Sequence, residues 1–438
     1  MSQHDPVVWR KARILNEAKV SSSIDTIDVK QLIAETSLED LNQLAENYFA
    51  QIDDWSFHLA KPFGSVEEAP QLLINFAVVL QGLNLCPGMT VLEFGAGSCW
   101  ASRYLTQLGC RVIAADVSPT ALRIGSELYQ QQPIFGHKPE PQFLLFDGRH
   151  LDIPDETVDR ILCLDALHHV PNTRDVLREM GRVLTREGIA GFAEPGPQHS
   201  RTEKSQQEMR DFGVVENDVD IHEIWKYALN AGFIDIKLAV FNVPPFHLSL
   251  DEFEDLVAGQ THTASGEKTE SWENYAAAVR DFLANQRTFF LYKGFPNTSD
   301  SRYRAGLKAR IETRETVMTA RANQTIIVNA SVTNDSPSIW LPRGAGLGAV
   351  LLGVHVCDPQ GHIIKNSYHW EALTPDEGRS ILPGETVDVE VNIPGLPADS
   401  YLLKFDMVSD DVCWFAANGS PQALVSLEVL EPADSGGI

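Results

Sequence analysis

The 438-residue sequence predicts an α/β chain: a doubly wound, mostly parallel seven-stranded sheet with a helical N-terminal segment and a C-terminal all-β sandwich. Three observations predict it. From residue 90 short apolar strands alternate with helices, the order that covers a parallel sheet on both faces. Before residue 55 apolar residues recur at spacings of three and four, the helical period. After Pro296 that period disappears, and short alternating segments follow, broken by Pro, Gly, Asn and Asp.

Residues 1–55 read as a helical lid or docking segment, with Leu38, Leu41, Leu44 and Tyr48 at helical spacing. Ser65 and Glu68 form a capping-box pattern ahead of APQLLINFAVVLQGL, a helix expected to end near Gly82. The sheet strands are TVLEF, RVIAAD, QFLLFD, DRILCLD, GIAGFAE, IDIKLAVF and RTFFLYKG. Ser118 and Pro119 suit the N-cap and first position of the helix after RVIAAD. These strands place one unit at 56–294, with a helical insertion at about 245–286. A further unit, 305–432, holds LKARIET, TIIVNASVTN, AVLLGVHVC, ETVDVEVNI, YLLKFDMV and ALVSLEVL, an antiparallel pattern expected to form an immunoglobulin-like sandwich. The tail EPADSGGI should fray.

Thirty-five Lys and Arg stand against 60 Asp and Glu, a formal charge of −25. Such a surface repels nucleic acid and anionic membrane, because binding to either rests on cationic side chains. The six cysteines, Cys86, Cys99, Cys110, Cys163, Cys357 and Cys413, show neither CxxC nor Cys/His ligand spacing. They indicate no zinc site and no disulfide framework, and read as reduced thiols. The N-terminus carries charges where a signal peptide needs an apolar core, and no run reaches the ~18–20 apolar residues of a membrane span. The expected location is the cytoplasm, with a homo-oligomer compatible with the composition.

The stretch VLEFGAGSCW at 91–100 carries the chemistry: a strand enters a Gly-rich turn and then a helix. Gly95 and Gly97 let the backbone approach a ligand closely, beside helix-end N–H groups. A dinucleotide fingerprint needs a third glycine where Trp100 stands, which disfavours a nicotinamide cofactor.

On these residues the sequence resembles the class I S-adenosylmethionine-dependent methyltransferases, whose first motif is an acidic residue followed by glycines at alternate positions. Glu93, Gly95 and Gly97 match, with Ala96 between the glycines; Cys99 replaces a frequent third glycine. The ordered resemblance extends over roughly residues 60–294. It implies a Rossmann-like fold and S-adenosylmethionine as cofactor. Asp116, followed by Val117, falls where the family grips the ribose hydroxyls. Asp147, followed by Gly148, falls where the family contacts the adenine amino group, and Asp165 ends the fourth strand. The structural alternatives stand beside these: a tight βα turn for the glycines, a helix-cap partner for Asp116, a loop carboxylate for Asp147, core packing for Trp100.

Methyl transfer is a direct displacement that needs alignment and, for a hydroxyl acceptor, a base; it requires no metal. Base candidates sit where ligands bind in open α/β sheets, at the carboxyl ends of the strands. They are His168 and His169 after the fourth strand, and Glu194 and His199 in AEPGPQHS after the fifth. His199 is the expected base with Glu194 as its orienter; His169 is the next candidate, and a capped solvent loop the alternative. Glu208, Glu216 and Asp218 either hydrogen-bond a polyhydroxylated substrate or are solvated, and His222 is expected at the surface.

The segment YLLKFDMVSDDVCWF, followed by Gly419, resembles the β-sandwich modules at the ends of cell-surface polysaccharide enzymes and polysaccharide exporters. Alternation puts Phe405 in the core, and Trp414 beside Phe415 is either sandwich core or a platform for a sugar ring. The expected function is methylation of a hydroxyl on a sugar or glycan precursor. Methylation of a small secondary metabolite, and a non-catalytic cofactor-binding scaffold, are the alternatives.

Overall fold

The computed structural model describes residues 26–240, 247–259, 270–294, 299–375 and 378–431. The expectations for residues 1–25, parts of the insertion, the start of the linker after Gly294 and the fraying tail lie outside these residues.

The N-terminal segment forms α1 (Val29–Glu35), α2 (Leu38–Ala50) and α3 (Ser56–Leu59), followed by α4 (Ala69–Leu83). Ser37 caps α2 by accepting from the Asp40 N–H, and Leu41 and Leu44 pack with Val29, Met209 and Val215. The Ser65 hydroxyl accepts from the N–H groups of Glu67 and Glu68, closing the turn that leads into α4.

The central region runs β1 (Thr90–Phe94), α5 (Trp100–Gln107), β2 (Arg111–Asp116), α6 (Pro119–Gln131), β3 (Gln142–Leu145), β4 (Val158–Leu164), α7 (Thr173–Val183) and β5 (Leu184–Pro195). It continues through α8 (Glu203–Phe212), α9 (Ile221–Asn230), β6 (Asp235–Ala239), α10 (Leu250–Val257), α11 (Glu270–Asn285) and β7 (Gln286–Tyr292). The seven strands form one sheet in the order β3-β2-β1-β4-β5-β7-β6. The first five are parallel; β7 runs antiparallel to both β5 and β6. Both faces are covered, as near-continuous apolar strands require. Val91 points into a cluster with Val79, Leu83 and Leu105, while its neighbour Leu92 points into one with Val176, Met180 and Phe289. Trp100 belongs to the first cluster, edge-on to Phe76 at 5.2 Å, so the core reading of that residue holds.

The C-terminal region holds β8 (Ala309–Thr313), β9 (Val317–Arg321), β10 (Ile326–Asn334), β11 (Val350–Cys357), β12 (Ile363–Ala372), β13 (Thr386–Ile393), β14 (Asp399–Ser409), β15 (Cys413–Trp414) and β16 (Ala423–Leu430). One sheet is ordered β13-β10-β8 and the other β12-β11-β14-β16-β9, with β15 on β14. Alternation decides which side chains meet between them. In β13 Val387, Val389, Val391 and Ile393 are buried with Phe405 and Leu427 in one core. The antiparallel expectation needs one correction, since β9 pairs with β16 in parallel. A short strand that reaches the sheet edge from the β8 side arrives in the direction of β16, whereas hairpin partners reverse direction. Among the described residues no helix is long and apolar enough to cross a membrane.

Candidate active site

The carboxyl ends of the adjacent parallel strands β2, β1, β4 and β5 lie along one edge of the sheet. The turn after β1 carries Gly95 at φ +67° and Gly97 at φ +51°, in the left-handed region that glycine enters without steric cost. A methyl group placed on Gly95 would lie 2.4 Å from Ala166 Cβ, so the turn packs directly on the end of β4. On Gly97 it would meet nothing closer than Phe49 Cζ at 3.9 Å. The missing third glycine is accommodated differently. Cys99 itself takes a left-handed φ of +57° and is fully buried, its sulfur lying where Gly125 leaves room for it. Such a conformation costs a non-glycine residue about 1–3 kcal/mol, offset here by burial of the thiol.

Two carboxylates hold this turn. Glu93 Oε2 accepts from the Ser102 N–H at 2.7 Å and from the Ser102 hydroxyl, clasping β1 to the first turn of α5. Burial pushes the Glu93 carboxyl up to about 8, with the Ser102 bonds opposing and the charge of Asp116 adding to the rise. Asp116 bridges two turns: Oδ2 accepts from the Gly97 N–H and Oδ1 from the Ser118 N–H, each at 2.8 Å. Ala96 N–H is bound to Ala115 O at 3.0 Å, and Val117 is half-buried beside it. Asp147 is exposed, and its Oδ1 accepts from the N–H groups of Arg149 and His150 at 2.7 Å. These bonds, the His150 one first, hold its carboxyl below the ordinary range.

Helix α2 lies across this edge. Asn42 donates to Asp147 O at 2.9 Å, and Glu46 accepts from the Thr120 hydroxyl at 2.6 Å, the Thr120 N–H and the Ser118 hydroxyl. Sequence reasoning did not single out Asn42 or Glu46. They lie on the polar face of an amphipathic helix, and nothing in that pattern distinguishes a docked polar side chain from a solvated one.

The second half of the site belongs to β4, β5 and the segment after α8. Asp165 ends β4 in a left-handed conformation, φ +53°, which turns the chain into the 3-10 turn Leu167–His169. Glu194, 2% exposed at the end of neighbouring β5, accepts from the N–H groups of Ala166, Leu167 and His168 and, at 2.8 Å, from His168 Nδ1. His199 lies in the 3-10 turn His199–Arg201, and its Nε2 meets Glu216 Oε2 at 2.7 Å. The expected Glu194–His199 pair is therefore corrected. Glu194 faces the adjacent β4 turn because β4 and β5 are in parallel register (Leu164 with Ala193). The segment carrying Glu216 is held against the turn after β4 by the backbone bond from Asn217 N–H to His168 O, 2.9 Å.

The three imidazoles form one group. His168 and His169 ring centroids are 3.9 Å apart, and His168 and His199 4.8 Å. His169 Nδ1 lies 2.7 Å from Val215 O. Burial opposes protonation of His168, but its bond to Glu194 and the charges of Asp165, Glu194 and Glu216 prevail and raise it to about 9. Burial would raise the Glu216 carboxyl, yet the His199 bond followed by His169 and His168 brings it down to about 2. Of the other acids singled out, Asp218 accepts from the Ser200 N–H at 2.8 Å, and Glu208 is raised by burial first and then by Glu216. His222 is exposed, as expected.

A glycine turn, a paired acid at the end of β2 and a second polar cluster at the ends of β4 and β5 thus lie along one edge of the sheet. Residues 92–192 match the methyltransferase domain family, so the chain carries a class I methyltransferase domain. Over 116 residues it is 30% identical to "Methyltransferase GfsG" of Streptomyces halstedii, covering 26% of this chain and 40% of that one. Over 112 residues it is 33% identical to a demethylmenaquinone methyltransferase of Corynebacterium urealyticum, covering 26% and 44%. The chain thus spans less than half the length of these two relatives. Haemonchus contortus phosphoethanolamine N-methyltransferase 2 is similar over 59% of each chain, at 15% identity and a TM-score of 0.40.

The cofactor of this domain is S-adenosylmethionine. The residues present fit it on an observation of their own. The Ser98 hydroxyl, in the glycine turn, is buried without a hydrogen-bond partner.

Proposed function

We propose that this chain transfers a methyl group from S-adenosylmethionine to a hydroxyl of a sugar or glycan precursor, as a cytoplasmic enzyme. Gly95, Ala96, Gly97, Asp116, Val117, Asp147, Gly148 and Asp165 are the residues we assign to the cofactor, with Glu93 holding the turn from behind. The bound cofactor supplies an electrophilic methyl group on a sulfonium.

The observation that carries the hydroxyl reading is the His199–Glu216 pair, with the His199 side chain 20% exposed and the carboxylate 2%. With Nε2–H donated to Glu216, the ring keeps Nδ1 as its acceptor nitrogen. That nitrogen would take the hydroxyl proton as the acceptor oxygen receives the methyl group that the bound cofactor would supply. Glu216 then stabilises the imidazolium, as a buried carboxylate does for any histidine base. Glu194 acts one step back, holding His168, and His169 is the alternative base.

Support for a sugar comes from the C-terminal region, taken as an immunoglobulin-like sandwich over 305–432. There Trp414 lies 4.4 Å from the His355 ring and 6.4 Å from Trp370, which is 41% exposed. The same region also suits assembly of a homo-oligomer. A second reading, a small metabolite as acceptor, is favoured by the relative whose name gives demethylmenaquinone as its substrate. The test is a methyl-transfer screen with labelled S-adenosylmethionine over nucleotide sugars, soluble glycans and small quinols and phenols. Product from sugars alone supports the first reading and product from quinols or phenols alone the second. Cofactor binding with no methyl transfer to any of them would favour the scaffold.

A further inference from the structure

We infer that His168, His169 and Glu216 form a binding site for one divalent transition-metal ion of the Zn²⁺ type. One ligand atom from each lies within 4.8 Å of the others. Two imidazoles and one carboxylate are a donor set that suits zinc or iron, whereas magnesium and calcium favour oxygen donors.

Two further observations point to a ligand. The first is the outer shell. His168 Nδ1 is engaged by the Glu194 carboxylate at 2.8 Å, and His169 Nδ1 by the Val215 carbonyl at 2.7 Å. A carboxylate or a backbone carbonyl behind each imidazole is how metal-binding histidines are oriented, and it leaves Nε2 of both rings for an ion. Glu194 is itself fixed by three backbone N–H groups, so this support is rigid.

The second observation is Glu216. Its Oε2 is bonded to His199, but Oε1, on a residue 2% exposed, has no hydrogen-bond partner and lies 3.4 Å from His169 Nδ1, a nitrogen already taken by Val215. An ionised oxygen buried without a partner is costly, and a cation satisfies it. Entry is open on one side, since the His169 side chain is 45% exposed. His199 is left out of the ligand set by its bond to Glu216 Oε2. The residues adjoin in space only because the chain returns after α8, which is why ligand spacing in the sequence does not reveal them.

The ion's part in catalysis rests on the proposed methyl transfer: an acceptor hydroxyl on it would lose its proton to His199 more readily. Binding does not depend on that reading. The experiment uses the full chain, stripped with a chelator and titrated with Zn²⁺ by calorimetry and with Co²⁺ by visible absorption, with metal content by mass spectrometry. The expected result is one equivalent bound, weakened at least about tenfold in both Glu216→Gln and His169→Gln, and about tenfold to a hundredfold in Glu194→Gln. Because His169 is half-exposed, its variant should remain folded, and retained S-adenosylmethionine binding verifies that. Less than a tenth of an equivalent in the parent chain, or unchanged affinity in Glu216→Gln and His169→Gln, overturns the site. If the parent binds S-adenosylmethionine but no metal, the metal site alone fails; if it binds metal but no S-adenosylmethionine, the methyl-transfer reading fails and the site stands.

Discussion

Arg302 grips Asp159 across 143 positions of sequence, Nη1 to Oδ2 at 3.1 Å and Nη2 to Oδ1 at 2.9 Å. This joins a residue of the segment between the two regions to the second residue of β4. Asp300 takes the other side of the guanidinium at 2.7 Å, and Asp159 also accepts from the Thr90 N–H at 2.8 Å. The arginine side chain is 9% exposed and the two carboxylates 18% and 12%.

Removing that arginine leaves two partly buried carboxylates facing each other. Breaking one member of such a group costs about 3–5 kcal/mol. Arg302→Met should therefore lower the unfolding free energy by an amount of that order, seen as a lower urea midpoint, and speed proteolysis between Gly294 and Gly306. An unchanged midpoint, or cleavage no faster than in the parent, would show that the contact does not hold the C-terminal region to the sheet. Two fragments surviving the cut would show that residues 1–300 and 301–438 fold as separate units.

Asp116→Ala should weaken S-adenosylmethionine binding about tenfold to a hundredfold, the worth of charge-assisted hydrogen bonds to a carboxylate at roughly 1.5–3 kcal/mol. The same change frees the Gly97 and Ser118 N–H groups, so some loss of thermal stability should accompany it. Calorimetry showing parental affinity would remove Asp116 from the cofactor site.

His199→Ala should reduce turnover about a hundredfold to ten-thousandfold, the usual contribution of general-base catalysis, while cofactor affinity stays near that of the parent. Glu216→Gln should act in the same direction through loss of the carboxylate behind the ring. Near-parental turnover in His199→Ala would remove His199 as the base.

Glu93 predicts a pH dependence of stability. Its carboxyl is raised from 4.5 to about 8 in the folded chain, chiefly by burial. Below about pH 4.5 it is protonated in both states. Between there and about pH 8 the folded state holds a proton that the unfolded state has released, so stability falls as pH rises, by at most a few kcal/mol. Glu93→Gln keeps an acceptor for Ser102 and does not titrate. Its melting temperature should gain on the parent's steadily from pH 5 to pH 8; a constant difference would show that Glu93 is ionised in the fold.

The alternating strands and helices were legible because both faces of a parallel sheet must be apolar, and strands such as TVLEF have that composition. The glycine turn was legible because Gly95 and Gly97 occupy left-handed positions that few other residues tolerate. Cys99 shows the limit: it takes such a position where a glycine is frequent, and only its packing against Gly125 explains how.

The sequence by itself thus determined the sheet, the glycine turn, the acid ending β2 and the place of His168, His169 and Glu194 at the ends of the fourth and fifth strands, since each is written in local periodicity or spacing. Tertiary structure alone decided that Glu194 serves His168, that Glu216 serves His199, that Glu46 docks α2 onto Ser118 and Thr120, and that β9 runs parallel to β16. The reason is physical. Apolar burial repeats with the backbone and leaves a period in the sequence, whereas a polar pair is set by the direction of a few hydrogen bonds between segments that meet only once the core has formed.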